Sequence, residues 1–175
     1  MQPFRSSPWT RRLLWLAIPV GIALAAAYFM PRPELLAPLN DVTTDLANPP
    51  EFFVAPPERP GYDAARFAPL QRRIHGDLSN ARLPWPPQET LARAERLARG
   101  LGWTLVGVDA AGLRLQAIAV TRLLRFRDDV VIAVRPAESG GSIVAMRSKS
   151  RLGRSDLGTN ARRIRAFLAA LAAGE

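Results

Sequence analysis

The sequence predicts an α+β fold of two layers, a mainly antiparallel four-stranded meander flanked by two helices and preceded by one N-terminal transmembrane helix. Three observations predict it. Residues 13–30 form an uncharged stretch near the start of the chain. Four strand-like runs between 103 and 150 are joined by links short enough for hairpins. Two stretches with apolar residues at helical spacing bracket those runs.

Leu13 to Met30 reads LLWLAIPVGIALAAAYFM. At a rise of ~1.5 Å per residue it extends ~27 Å, close to the ~30 Å hydrocarbon layer of a bilayer. Pro19 and Gly21 interrupt it, and both are tolerated in membrane helices. Trp9 and Trp15 near one end and Tyr28 near the other suit the interfacial belts. Arg11 and Arg12 abut its N-terminal side, so residues 1–12 are expected in the cytoplasm and residues 31–175 across the membrane. The expectation is a single-pass protein of the bacterial inner membrane with a periplasmic C-terminal domain. Two readings compete. Ala23-Leu24-Ala25 and Ala25-Ala26-Ala27 offer cleavage patterns for a signal peptide, although the apolar run continues through Tyr28-Phe29-Met30. A buried core helix is the other, and the lack of a polar face argues against it.

From Pro31 to Pro87 there are twelve prolines, with Pro49-Pro50, Pro56-Pro57 and Pro86-Pro87 adjacent. Proline fixes φ and removes a donor, so residues 31–87 are expected to be an extended segment that wraps the domain. Within it Asn40 to Asp45 suits a short edge strand or turn, and Asp63 to Ile74 a short helix broken around Pro69. The α+β core is expected over 88–175. Its first helix, Gln88 to Leu101, carries Leu91, Ala94, Leu97, Ala98 and Leu101 on one face and stops at Gly100 and Gly102. Strands follow at Trp103–Val108, Leu113–Leu123, Asp129–Arg135 and Ser142–Ser150, and Val130, Ile132 and Val134 share one face of the third. Asp109-Ala110-Ala111-Gly112 and Glu138-Ser139-Gly140-Gly141 supply turn chemistry between strands. A last helix is expected from Ser155 or Asp156, as N-cap, to about Ala172. Its apolar set is Leu157, Ala161, Ile164, Leu168 and Leu171, and Arg162, Arg163 and Arg165 lie outside that set.

Composition narrows the chemistry. The chain has 175 residues and no cysteine, which excludes disulfides, thiolate metal sites and a cysteine nucleophile. His75 is the only histidine, so a histidine metal site or a Ser-His triad has almost nothing to build on. The net charge is +9, from 24 basic and 15 acidic residues. Arg5, Arg11 and Arg12 precede the apolar stretch, which leaves 21 − 15 = +6 on the remainder. Arginine binds phosphate and carboxylate bidentately, so an anionic partner is one reading. The Ala/Arg-rich composition of a GC-rich genome is the other. Asp128, Asp129 and Asp156 lack the spacing of a calcium loop, and there is no phosphate loop, dinucleotide fingerprint or zinc pattern. No metal and no cofactor are expected. Nucleic acid is an improbable partner, since aromatics do not interleave with the cations.

One string stands out, Arg147-Ser148-Lys149-Ser150-Arg151-Leu152-Gly153-Arg154-Ser155-Asp156-Leu157-Gly158-Thr159-Asn160. In an extended strand Arg147, Lys149 and Arg151 project from one face and Ser148 and Ser150 from the other. The start of the last helix, with Arg154 beside it, offers N–H groups to phosphate, sulfate or carboxylate. In a binding role Arg147, Arg151 and Arg154 supply charge, Ser148 and Ser150 hydrogen-bond, Ser155 and Asp156 cap the helix, and Asn160, Asp128 and Asp129 complete the cluster. A structural role competes: Arg147 or Arg151 would pair with Asp128 and Asp129 and fix strand register. Ser148, Ser150 and Ser155 are nucleophiles by type alone, with no base in the motif. The expected function is therefore a non-catalytic, membrane-anchored envelope domain for an anionic ligand or a protein partner. A hydrolase or transferase using Ser148 or Ser150 with Asp129, and a purely structural scaffold, are the alternatives.

With Phe126-Arg127-Asp128-Asp129-Val130-Val131 upstream and Asn160-Ala161-Arg162-Arg163-Ile164-Arg165-Ala166-Phe167-Leu168 downstream, this string closely resembles the bacterial family called domain of unknown function 1499. Asp41-Val42-Thr43-Thr44-Asp45, followed by Asn48-Pro49-Pro50-Glu51-Phe52, resembles the entrance segment of one branch. The resemblance covers roughly residues 40–170. It departs at Leu124-Arg125, where many relatives carry a glycine, and at His75-Gly76-Asp77-Leu78, where a Tyr-Pro pair is frequent. It implies support for the fold and no established activity.

Overall fold

The computed structural model describes residues 36–54 and 61–174. The expected span at 13–30 lies outside them, and among the described residues no helix is long and apolar enough to cross a membrane. In chain order the elements are β1 (Asp41–Thr43), α1 (Ala64–His75), β2 (Ala81–Leu83), α2 (Pro87–Gly100), β3 (Thr104–Asp109), β4 (Arg114–Val120), β5 (Arg127–Pro136), β6 (Ser142–Ser150) and α3 (Thr159–Ala173).

The fold is α+β with an antiparallel sheet, as the hairpin links predict, and β3 to β6 form the expected four-stranded meander. Among the described residues two further strands enlarge the sheet to six, in the order β1-β6-β5-β4-β3 with β2 also on β6. β1 pairs with Arg147–Lys149 and β2 with Ser142–Val144, so two short strands share the outer edge of β6. Each has only three residues, too few for a period of two to register in the sequence. Both come from the proline-rich stretch, in keeping with the restriction of proline-rich chain to sheet edges.

The short helix expected at Asp63 to Ile74 is present, and the correction is that it is unbroken and makes a third helix beside the two expected to flank the sheet. α1 runs through Pro69 without breaking. Asp63 caps it by accepting from the Arg66 amide, and burial of Phe67, Ala68, Gln71 and His75 offsets the ladder bond that proline cannot donate. Gln71 also closes the free edge of β1. Its side-chain amide accepts from the Thr43 N–H at 3.0 Å and donates to the Thr43 carbonyl at 2.5 Å, as a neighbouring strand would.

α2 begins with Pro87 in its first turn, where a missing donor costs nothing. Its buried face is Thr90, Leu91, Ala94 and Ala98. Leu101, expected on that face, is exposed at the C-cap. α3 starts later than expected, at Thr159. Leu157 and Gly158 both have positive φ, 52° and 74°, which keeps the chain non-helical up to that point. Leu157 therefore lies outside the helix and is exposed, while Phe167 takes a place in the core and stacks on Trp103 at 5.0 Å.

The two faces of the sheet are covered differently. Leu115, Val130, Ile132, Val144 and Met146 pack with Ala94, Ala98, Ile164, Phe167 and Leu171 in the hydrophobic core beneath α2 and α3. Over the opposite face runs irregular chain held by Gln116. Its carbonyl accepts from the Phe53 and Val54 amides at 2.9 and 3.0 Å, and its NH2 donates to the Val54 carbonyl. Gly107 is required for that close approach, because a Cβ there would run into the Val54 side chain.

Candidate functional site

β6 alternates its side chains across the sheet and so divides the Arg147–Asn160 string into two networks. On the face away from the helices, Arg147 is 0% exposed. Its Nε and Nη2 donate to the two carboxylate oxygens of Asp41 at 2.9 and 2.8 Å, and its Nη1 reaches Glu51 and the Pro50 carbonyl. Phe52 and Tyr62 lie against the guanidinium, 4.8 and 5.3 Å from ring centroid to Cζ. Burial pulls the pKa of this guanidinium down, and the hydrogen bonds and charge of Asp41 more than reverse that, so it is raised. Burial first, and then the charge of Asp41, push the Tyr62 phenol up to about 12. Lys149 stands 3.5 Å from the same Asp41, and Arg151 donates to Asp129 at 2.7 Å.

On the helix face, Asn160 is the hub. Its Oδ1 accepts from Ser148 Oγ at 2.7 Å and from Arg163 at 2.6 Å, and its Nδ2 donates to Ser150 Oγ and the Asn40 carbonyl. Arg163 also donates to Asp128 at 2.5 Å and to Ser148 Oγ at 2.9 Å. Asp156 accepts from the Gly158 and Asn160 amides at 2.8 Å each, serving the start of α3 from outside it. Burial raises the pKa of its carboxyl, against those backbone donors. Ser155 accepts from the Leu157 amide at 3.3 Å.

The expected pairing is thus half corrected. Arg151 does pair with Asp129, but Arg147 pairs with Asp41, and Asp128 pairs with Arg163 of α3. Neither Asp41 nor Arg163 belonged to the expected cluster. Asp41 sits directly opposite Lys149 in the β1–β6 register, a pairing visible only once β1 is placed. Arg163 lies three residues after Asn160, one helical turn along the same side, which was a readable signal. The hydroxyls of Ser148 and Ser150 turn toward Asn160, whereas Asp129 turns toward Arg151 on the other side of the sheet. The pair that hydrolase chemistry needs does not converge. Among the described residues no group of histidine or acidic side chains is arranged to hold a metal ion.

Beside the helix-face network lies a groove of about 540 Å³ between the β4–β5 link and the β6–α3 link. Asp128, Ser150, Asp156 and Arg163 contribute to its lining. Its walls include Leu123, Leu124, Phe126, Leu152 and Leu157, all exposed, with Leu123 at 89%. The β4–β5 link was expected to continue the strand to Leu123. The strand instead stops at Val120, and the link is tied by hydrogen bonds between Thr121 and Phe126. Arg122, Arg125, Arg154 and Arg162 are exposed around it. A smaller cavity of about 390 Å³, lined in part by Asp45, Asn48 and Arg135, contains none of the expected site residues.

No curated protein matches the chain. The family model described as "Protein of unknown function (DUF1499)" matches residues 41–171, from β1 to the buried Leu171 of α3, and the chain therefore belongs to that family.

Proposed function

We propose that this is a non-catalytic recognition domain of the bacterial envelope, held at the membrane by residues 13–30, whose working surface is the 540 Å³ groove rather than the whole Arg147–Asn160 string. The observation that carries the reading is the division of labour among the charges. Arg147, Arg151 and Arg163 are engaged by Asp41, Asp129 and Asp128, while Arg122 stands exposed on the lining of a cleft with apolar walls, and Arg125 and Arg154 are exposed in the two links that frame it. Such a cleft fits an anionic ligand with an apolar portion. A hydrolase or transferase acting through Ser148 or Ser150 lacks the convergence with Asp129 described above.

The test is a titration of the full chain in neutral detergent with monomeric dihexanoylphosphatidylglycerol, an anionic amphiphile. Arg122→Glu with Arg154→Glu should weaken binding by roughly thirtyfold or more, at ~1 kcal/mol per arginine, without moving the melting temperature. Equal affinity of variant and wild type, or no binding by either, rejects the reading.

A further inference from the structure

We infer that the groove end of the domain docks on the surface of a bilayer containing anionic lipid, inserting Leu123, Leu124 and Leu152 among the acyl chains. This rests on the groove being the binding surface, and it names the partner. Exposed leucines are ordinary singly, but contiguous exposed apolar residues mark an interaction surface. Here two separate links converge to present Leu123, Leu124 and Phe126 beside Leu152 and Leu157. Leu123, Leu124 and Leu152 line the groove and are also 89%, 63% and 67% exposed, so they present apolar surface outward at its rim.

Charge selects the partner. The β4–β5 link from Thr121 to Phe126 carries Arg122 and Arg125 and no acid. The β6–α3 link carries Arg154 beside Arg151, which Asp129 engages, and its one acid, Asp156, is turned inward onto the Gly158 and Asn160 amides. Asp128 and Asp129 are each 1% exposed and engaged by arginines. The outward field of this end is therefore cationic around an apolar centre, the composition of surfaces that lie in the interface of anionic membranes.

The path of the chain agrees. It enters the domain beside the same link: the Leu39 carbonyl accepts from the Asp156 amide, and Asn40 Nδ2 donates to the Gly153 carbonyl at 2.6 Å. The described chain therefore enters the domain at the same end as the exposed leucines.

The chain has no cysteine, so a single introduced one can be labelled cleanly. The full chain, carrying an environment-sensitive fluorophore at Leu123→Cys, is reconstituted into vesicles of phosphatidylcholine alone or mixed with phosphatidylglycerol. A control label sits at Glu138→Cys, in the exposed turn at the far end of the β5–β6 hairpin. The expected result is a blue shift and protection from an aqueous quencher at 123 only in the mixed vesicles, with the label at 138 remaining quenchable in both. Arg122→Glu with Arg125→Glu and Arg154→Glu should reverse the protection. Leu124→Ser with Leu152→Ser should weaken it several-fold, which gives an independent arm should the charge variant not fold. A label at 123 that stays quenchable in mixed vesicles overturns docking, and so does equal protection in both vesicle types. Protection that requires crowding of the protein in the vesicle would mark a second copy of the chain on this patch and overturns docking equally. If the monomeric lipid of the preceding titration binds while the bilayer does not protect, docking fails and ligand binding stands. If neither responds, both fail.

Discussion

Arg147 loses all contact with solvent in the fold, and its guanidinium is compensated by Asp41, Glu51, the Pro50 carbonyl and two aromatic rings. An ion pair so enclosed is costly to break from one side, because the remaining charge stays buried. Arg147→Met should lower the unfolding free energy by about 3–5 kcal/mol in urea denaturation, and adding Asp41→Leu should recover part of that loss. A single variant within about 1 kcal/mol of wild type would show that the pair is not held as described. Residue chemistry was legible to this extent: the sequence marks Arg147 and Arg151 as candidates for pairing and Asp128 and Asp129 as candidate partners. It does not reveal that Arg147 takes Asp41, 106 residues away, because that contact depends on a three-residue strand. Arg125 is a plainer case of what the side chain does not reveal: its φ is +56°, in the region glycine tolerates best. Ser155 and Asp156 were readable as helix-capping types, but the turn at Leu157 and Gly158 separates them from the helix that Asp156 serves.

Gln71 shows how one side chain joins elements. It bonds both backbone groups of Thr43 from the buried face of α1, so the edge of β1 is closed by a helix and not by another strand. Gln71→Ala leaves a buried N–H and carbonyl without partners, and should cost about 1–3 kcal/mol. Hydrogen exchange at the Thr43 amide should accelerate beyond what the global loss explains; exchange limited by global unfolding alone would argue against this role. At this scale legibility follows length and regularity. β3, β4, β5 and β6 and both long helices lie where period and turn residues place them, to within a few residues at their ends. Pro69 misled because proline's local cost was outweighed by burial around it. Leu157 misled because its spacing fits α3 although its backbone, at φ 52°, does not. That misplaced leucine is one wall of the groove, so the candidate surface was hidden by the same residue that extended the helix on paper.

Across the whole molecule β6 is the strand on which everything else is registered, with β5 on one side, β1 and β2 on the other, and side-chain networks on both faces. Two side-chain networks on opposite faces of the sheet hold the scaffold, and the exposed β4–β5 and β6–α3 links lie beside one of them. The sequence concentrates the candidate residues in a single string because one strand and its exit supply both networks, and only the alternation across the sheet separates them. The same economy makes the pH dependence of stability simple to read, since the chain has one histidine and no cysteine. His75 is buried at the end of α1, and burial, with the nearby Arg165 cation adding to it, holds its imidazole below the ordinary pKa of about 6.5. The unfolded chain therefore takes up the proton more readily than the folded one. The stabilisation is fully present above about pH 6.5 and is lost as pH falls through the folded pKa. Asp156 has the opposite sign: its raised carboxyl pKa means that its contribution is present below the unfolded pKa and is lost as pH rises through the folded one. Urea midpoints measured from slightly alkaline to mildly acidic pH should thus fall in the wild type, and His75→Gln should abolish the fall or leave a slight rise as Asp156 binds its proton. An equal loss of stability in the variant would assign the acid sensitivity to groups other than His75.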